Sequence, residues 1–151
     1  MHQFDEALPC LSAWAGVGPI APPPRRRGGV IGLCLDGAFL PAVAFTLSWM
    51  HSVERTEWQE DYRIAAGRLM LVEARIRGSG AGMEPPPGAV LAEGWWRYRP
   101  DLPPLPELRL TRSGATADYR ICWDGACRPL AQLAPIRAEG SVTVLRPCDG
   151  P

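Results

Sequence analysis

The stretch AFTLSWMHSVERTEWQEDYRI, residues 44–64, contains two runs in which apolar and polar side chains alternate. Alternation with a period of two is typical of a β-strand that buries one face. Charged residues at 54–57 separate the runs, so the stretch is expected to fold as an antiparallel hairpin with these residues as its loop. The register that matches apolar with apolar side chains pairs Val53 with Trp58, His51 with Glu60, Trp49 with Tyr62, and Leu47 with Ile64.

This register predicts a polar pair inside an apolar face. An unpaired buried charge is costly, so His51 and Glu60 should be hydrogen-bonded or ion-paired to each other. Such a pair has three interpretations: it fixes the strand register, it binds a ligand or a metal, or it supplies a catalytic base. The pattern favours the structural interpretation, with ligand or metal binding second and catalysis third.

The composition excludes several classes of function. The chain has 151 residues, enough for one ordinary domain. Acidic and basic residues balance at 16 each, so we expect no long-range attraction to nucleic acid or anionic lipid. The chain has no Lys, which excludes Schiff-base and phosphate-loop chemistry. No apolar run reaches the length of about 18 residues that a membrane span requires.

The chain after residue 29 repeats the alternating pattern, cut by turns that contain Gly or Pro. We therefore predict one all-β domain over residues 30–148, an antiparallel sandwich or small barrel of about eight or nine short strands. The candidate strands are 30–35, 44–53, 58–64, 68–76, 95–99, 107–112, 118–123, 126–133 and 141–146.

Residues 1–29 show no sustained period and include PPPRRRGG at 22–29. This composition predicts a flexible, disordered Pro/Arg-rich tail. The alternative is an export segment, in which the arginines at 25–27 precede an apolar core and Ala42-Val43-Ala44 is the cleavage site. Asp36 and Pro41 interrupt that apolar stretch, which favours GVIGLCLDG as a buried first strand instead.

A glycine-rich stretch, GSGAGMEPPPG at 78–88, is the second candidate ligand site. Alternating glycines let a backbone approach a ligand closely, and their amides can bind an anion. No helical pattern follows and no Lys is present, so this is neither a dinucleotide nor a phosphate loop, and we expect no cofactor. A tight structural crossover is the simpler interpretation. The binding candidates are Ser79, Gly80, Gly82 and Glu84, whose carboxylate is held by the following prolines.

The cysteines suggest two disulfides. In ICWDGAC, residues 121–127, the Asp-Gly turn places Cys122 opposite Cys127 at a Cα separation of about 4.5 Å, so a cross-strand bridge is feasible. Cys34 and Cys148 lie on the first and last strands and form a second candidate pair. Two bridges would indicate an oxidising compartment such as the periplasm. Reduced thiols are the alternative; a zinc site is poorly supported by the spacing, and we expect no metal.

Six segments of the chain are similar to those of a known family. They are LCL at 33–35, FTLSWMHSVERTEWQEDY at 45–62, RLMLVEARIRGSGAGMEPPPGA at 68–89, GWWRYRP at 94–100, PLPEL at 104–108 and CWDGACRPL at 122–130. Through these segments much of the chain resembles the bacterial domain of unknown function 1850 family. The resemblance implies a small exported or periplasmic β-protein whose genes lie beside those of tripartite, TAXI-type solute transporters. It implies a transporter component or its small organic solute as the partner, and it carries over no catalytic residue.

Three functions are consistent with these patterns. The first is a periplasmic accessory or binding module that uses His51, Glu60, Glu84 and the glycine-rich stretch. The second is a hydrolase-like or metal-dependent enzyme that uses His51 with Glu60. The third is a structural interaction domain without a small-molecule site. The absence of a recognisable nucleophile motif disfavours the enzyme.

Overall fold

The computed structural model describes residues 29–53, 55–78, 84–114 and 116–151. Within these ranges the chain forms eleven β-strands and one 3₁₀ turn at Leu130–Gln132. The strands are β1 (Ile31–Leu35), β2 (Ala38–Leu40), β3 (Ala44–Met50), β4 (Glu57–Ala65), β5 (Arg68–Arg77), β6 (Val90–Ala92), β7 (Trp95–Tyr98), β8 (Leu108–Arg112), β9 (Arg120–Trp123), β10 (Ala126–Pro129) and β11 (Ser141–Asp149).

The strands form two antiparallel sheets, which confirms the predicted all-β class. One sheet has four strands in the order β2-β1-β11-β8, and the other has seven in the order β10-β9-β3-β4-β5-β7-β6. Leu33, Leu35 and Leu145 of the smaller sheet pack in one buried cluster with Leu47 and Ile121 of the larger sheet. We call the face of each sheet that is directed toward this cluster its inner face.

Two strands were missed and two were predicted too long. β2 and β6 have three residues each, too few to display a period, and each lies at an edge of its sheet. The candidate strand 44–53 ends at Met50. The candidate strand 126–133 ends at Pro129, and the chain turns into the 3₁₀ segment there. None of the described helical segments is long and apolar enough to cross a membrane. The prediction for residues 1–28 lies outside the described residues.

The predicted hairpin forms, but its predicted register is wrong. Trp58 pairs with Trp49 instead of Val53, a shift of four residues, and Glu60 pairs with Leu47. The observed register stacks the two indoles with ring centroids 6.1 Å apart, whereas Val53 is left 83% exposed in the turn. A pair of large aromatic rings buries more apolar surface than a Val–Trp pair, which favours the observed register. Because the shift is even, every residue keeps the face that alternation predicts.

A β-bulge in β5 changes which residues reach the inner face. The pairing with β4 shifts between Asp61 and Tyr62. Leu69 and Leu71 are directed inward before the shift, and Ala74 and Ile76 after it, so the inward set changes from odd to even positions. An extra residue in one strand produces this change in parity.

Both predicted disulfides are present. Cys122 pairs with Cys127 across the Asp-Gly turn, with Cα atoms 4.0 Å apart. Cys34 and Cys148 join β1 to β11 with Cα atoms 5.8 Å apart. Two disulfides are consistent with an oxidising location outside the cytoplasm.

One buried ion pair, missed in the sequence, joins the two sheets. The Arg112 side chain is 0% exposed, and its Nε and Nη2 atoms donate to both oxygens of Asp118 at 2.9 and 2.7 Å. Its Nη1 donates to the Ala134 carbonyl and, at 3.1 Å, to the Thr143 hydroxyl. The Ala131 amide donates to the same carboxylate at 2.7 Å. The network therefore ties β8 and β11 to the 3₁₀ segment and to the start of β9.

Replacement of Asp118 with Ala should lower the free energy of unfolding by about 3–5 kcal/mol, because it leaves a buried guanidinium without a counter-charge. Urea denaturation measures the loss. The matched control is Glu107→Gln, which removes a carboxylate from the exposed pair with Arg109 and should cost at most about 1 kcal/mol. Similar losses in the two variants would contradict the structural role of the buried pair.

The two disulfides should differ in their contribution to stability. They close segments with sequence separations of 114 and 5 residues. Loop-closure entropy predicts that loss of Cys34–Cys148 costs about 5 kcal/mol and loss of Cys122–Cys127 about 2 kcal/mol. Urea denaturation of the two double Cys→Ala variants tests this order. A larger loss in the Cys122/Cys127 variant would refute it.

Candidate functional site

A row of large side chains crosses the inner face of the seven-stranded sheet near one end. The register aligns Trp49 with Trp58, Trp58 with Ile76, and Ile76 with Trp96. The three indoles are partly exposed, while Ile76 is buried between them. Tyr119 extends the row, since its ring centroid lies 5.9 Å from that of Trp49.

The next row inward places one carboxylate among these rings. Leu47 aligns with Glu60, Glu60 with Ala74, and Ala74 with Tyr98. Alanine ends at Cβ, so between Glu60 and Tyr98 the side-chain layer is thin. Glu60 and Tyr98 are partly exposed and Ala74 is buried. We call the set Trp58, Glu60, Ala74, Trp96 and Tyr98 the Glu60 site.

The Glu60 carboxylate accepts a hydrogen bond from a tyrosine hydroxyl. The Tyr62 hydroxyl donates to Oε2 at 2.5 Å. Burial raises the pKa of Glu60, and the bond from Tyr62 opposes that rise. Burial also raises the pKa values of Tyr62, Tyr98 and Tyr119. The Glu60 carboxylate raises the pKa values of Tyr62 and Tyr98 further, and Asp118 followed by Glu60 raises that of Tyr119, while Arg112 lowers it.

No described cation shares this face of β3, β4, β5 and β7. Strand alternation places every arginine of β4, β5 and β7 on the opposite, outer face. There Arg75 binds Asp61 at 2.7 Å and Glu73 at 3.2 Å, and Arg97 binds Glu73 at 3.1 Å. The outer face is thus an ion-pair network, whereas the inner face of these four strands carries Glu60 as its single described charge.

Two indole donors of the Glu60 site lack acceptors. The Nε1 atoms of Trp58 and Trp96 are buried and have no hydrogen-bond partner in the part of the chain that the structure describes. An unsatisfied buried donor costs about 1–3 kcal/mol. The two residues are separated by one strand on the same face. Unsatisfied donors that lie close together on one face are a feature that a bound acceptor would explain.

His51 lies at the rim of this surface and does not face Glu60, so the predicted pairing is wrong. Its imidazole stacks on Trp58 with ring centroids 5.8 Å apart. Its backbone amide donates to Thr56 at 2.9 Å as the turn begins. The Trp49–Trp58 pair lies between His51 and the Leu47–Glu60 pair. His51 is about 13 Å along the strand from Leu47, which is the consequence of the four-residue shift in register.

The other predicted binding residues fall into two groups. Glu84 is exposed, and the prolines that follow it lead to the edge strand β6. Ser79, Gly80 and Gly82 lie outside the described residues. Among the described residues, no group of three or more His, Cys, Asp or Glu is arranged to hold a metal ion.

Sequence reasoning placed Glu60 and Trp58 on one apolar face but missed Ala74, Trp96 and Tyr98. The signal for Tyr98 and Trp96 was the alternation in WWRYR, which places these two side chains on one face. Their meeting with Glu60 required the order of β4, β5 and β7 in the sheet, which the sequence does not give.

The profile of a domain of unknown function, DUF1850, matches residues 45–130. This range covers more than half of the chain. The chain belongs to the DUF1850 family. The DUF1850 match runs from the second residue of β3 through β10, so it includes the Glu60 site and the Arg112–Asp118 pair. No curated protein and no solved structure matches the chain.

Replacement of Glu60 with Gln should raise the melting temperature at pH 7. A carboxyl whose pKa is raised by folding stabilises the protein fully below its unfolded pKa of about 4.3, and that contribution is lost as the pH rises through the folded pKa. Gln stays neutral, and its amide oxygen still accepts from Tyr62. The advantage of the variant should therefore widen between pH 4 and pH 8 in thermal melts.

The control for this experiment is Glu84→Gln, which removes an exposed carboxylate. Its melting temperature should follow that of the wild type across the same pH range. If Glu60→Gln instead destabilised the protein by an amount that grew between pH 4 and pH 8, ionised Glu60 would be a stabilising group and the assignment of its environment would fail.

Proposed function

We propose that this DUF1850 domain is a periplasmic binding module for a small molecule and that the ligand binds at the Glu60 site. The observation that carries the proposal is a half-buried carboxylate among partly exposed aromatic rings, with no described cation on its face. Small-molecule sites combine apolar and aromatic walls with a few placed polar groups, which matches this arrangement.

A comparison within the molecule supports binding over a purely structural role. The Arg112–Asp118 pair shows how this chain satisfies a structural charge: both carboxylate oxygens accept from the guanidinium. Glu60 has a tyrosine hydroxyl instead. A buried carboxylate without a counter-charge reduces stability, and such costs are concentrated at functional sites.

The unsatisfied indole donors are a second, independent support. Trp58 and Trp96 belong to the same small surface as Glu60, and a ligand oxygen would supply the missing acceptor. The enzymatic alternative has lost its main support, because it required His51 to face Glu60.

We place the module in the periplasm, as an accessory of a tripartite solute-uptake transporter. The two disulfides favour an oxidising compartment, and the transporter association is what the resemblance to DUF1850 proteins implies. Deletion of the gene should reduce uptake of the ligand by cells, and a plasmid copy should restore it. Unchanged uptake after deletion would contradict the association while leaving binding untouched.

Binding itself is tested by NMR of the indole N–H groups. The six Trp give six side-chain signals, and single Trp→Phe variants assign those of Trp58 and Trp96. A mixed set of amines, amino acids, organic acids and neutral solutes at millimolar concentration should contain a compound that shifts these two signals. The Trp123 signal serves as the internal control, since this residue flanks the distant Asp-Gly turn. If no compound of any charge class shifted the two signals, the proposal would fail.

A further inference from the structure

We propose that the Glu60 site selects a small organic cation of the ammonium class. This inference rests on the proposed binding function and names its ligand. The cationic group would lie against the Glu60 carboxylate, and its methyl or methylene groups would lie against the indole and phenol rings. An oxygen elsewhere in the ligand, such as the hydroxyl of choline, would be the acceptor for an indole N–H.

The charge balance of the inner face supports a cation. The chain contains no Lys, and the arginines of the surrounding strands lie on the outer face. Outside the described residues, positions 54, 79–83 and 115 contain no Lys, Arg or His, whereas residues 1–28 contain His2, Arg25, Arg26 and Arg27. An anionic ligand would be repelled by Glu60, and a neutral ligand would leave it without a counter-charge. A cation supplies a partner that the described residues do not.

One oxygen of the carboxylate is where this partner would bind. The Tyr62 hydroxyl donates to Oε2, from the same strand as Glu60, so the cation would contact Oε1. Ala74, which lies between Glu60 and Tyr98 in the sheet, is only 1% exposed. The ligand would therefore contact the exposed parts of Glu60 and Tyr98, whose backbones lie about 10 Å apart across two strand spacings.

The rings favour the same class of ligand. The faces of Trp and Tyr rings carry negative electrostatic potential, and aromatic side chains grouped around a carboxylate are the usual receptor for alkylated ammonium groups. Trp58 and Trp96 flank Glu60 and Tyr98 in the neighbouring row, so two kinds of ring border the position. All four side chains are partly exposed and therefore within reach of a solute.

The test compares choline chloride with its uncharged isostere 3,3-dimethylbutan-1-ol and with the anion 3,3-dimethylbutyrate. Titrations use the full chain and are followed by the Trp58 and Trp96 indole signals. Choline should bind at least about tenfold more tightly than either isostere. Glu60→Gln should weaken choline binding at least about tenfold, because it removes the charge and retains the shape.

The variant Glu60→Gln is expected to be more stable than the wild type at neutral pH, so lost binding could not be attributed to unfolding. Two variants of Tyr98 test the contribution of its aromatic ring. Tyr98→Phe keeps an aromatic face and should bind choline nearly as well as the wild type, whereas Tyr98→Leu should bind about three- to tenfold more weakly.

Three results would overturn the inference. Equal affinity for choline and its neutral isostere, or unchanged choline affinity in Glu60→Gln, would show that charge does not select the ligand. If choline bound only after Arg25, Arg26 and Arg27 were replaced by Gln, the Glu60 carboxylate of the wild-type protein would be paired with these arginines and not with a ligand. These outcomes are separate from failure of the binding function, which requires that no class of compound shifts the indole signals.

Discussion

The buried Arg112–Asp118 pair is the constraint on which the arrangement of the two sheets depends. Arg112 extends from the last position of β8 into the interior and meets a carboxylate that precedes β9 of the other sheet. Its Nη1 atom donates to Thr143 of β11 and to the carbonyl of Ala134, which follows the 3₁₀ segment. The pair therefore fixes the position of the loop that carries Tyr119, which packs on Trp49. A structural interaction in the core thus sets one wall of the aromatic surface.

The two faces of the larger sheet differ in how their charged side chains are paired. On the outer face, Arg75 bridges Asp61 and Glu73 and also contacts Gln59, so each charge has several partners near water. On the inner face, Glu60 has a phenolic partner and aromatic neighbours. Solvated ion pairs add little to stability, and their loss is inexpensive. A half-buried carboxylate is expensive, so its retention calls for a functional explanation.

Alternation in the sequence was sufficient to predict the class of fold and the faces of β3 and β4, and the Asp-Gly turn and the positions of the cysteines predicted both disulfides. Alternation did not predict the change of face within β5, because nothing in the pattern marks the bulge. It could not predict the register of β3 and β4, because any even shift leaves the pattern of faces unchanged. Only the larger gain from stacking Trp49 on Trp58 distinguishes the two registers. The sequence analysis therefore placed Glu60 correctly on the inner face but paired it incorrectly with His51.

The remaining site residues depend on contacts between distant parts of the chain. Strand order brings Tyr98 beside Ala74 and Glu60, and short runs such as WWRYR carry no information on which strand they join. Arg112 did leave a signal, because ELRLTR places it on the same face as Leu108 and Leu110. An arginine on an apolar face predicts a buried partner, but Asp118 could not be selected from sequence spacing alone.

The bulge in β5 separates two halves of the strand that contact different parts of the protein. Before it, Leu69 and Leu71 belong to the central packing of the sandwich or border it, and after it Ala74 and Ile76 lie beneath the surface formed by Glu60 and the indoles. The extra residue changes the phase of the strand at the boundary between the two regions. A single inserted residue therefore places different demands on the two halves of β5: side chains of the first half must fill the space between the sheets, and those of the second half must support the Glu60 site.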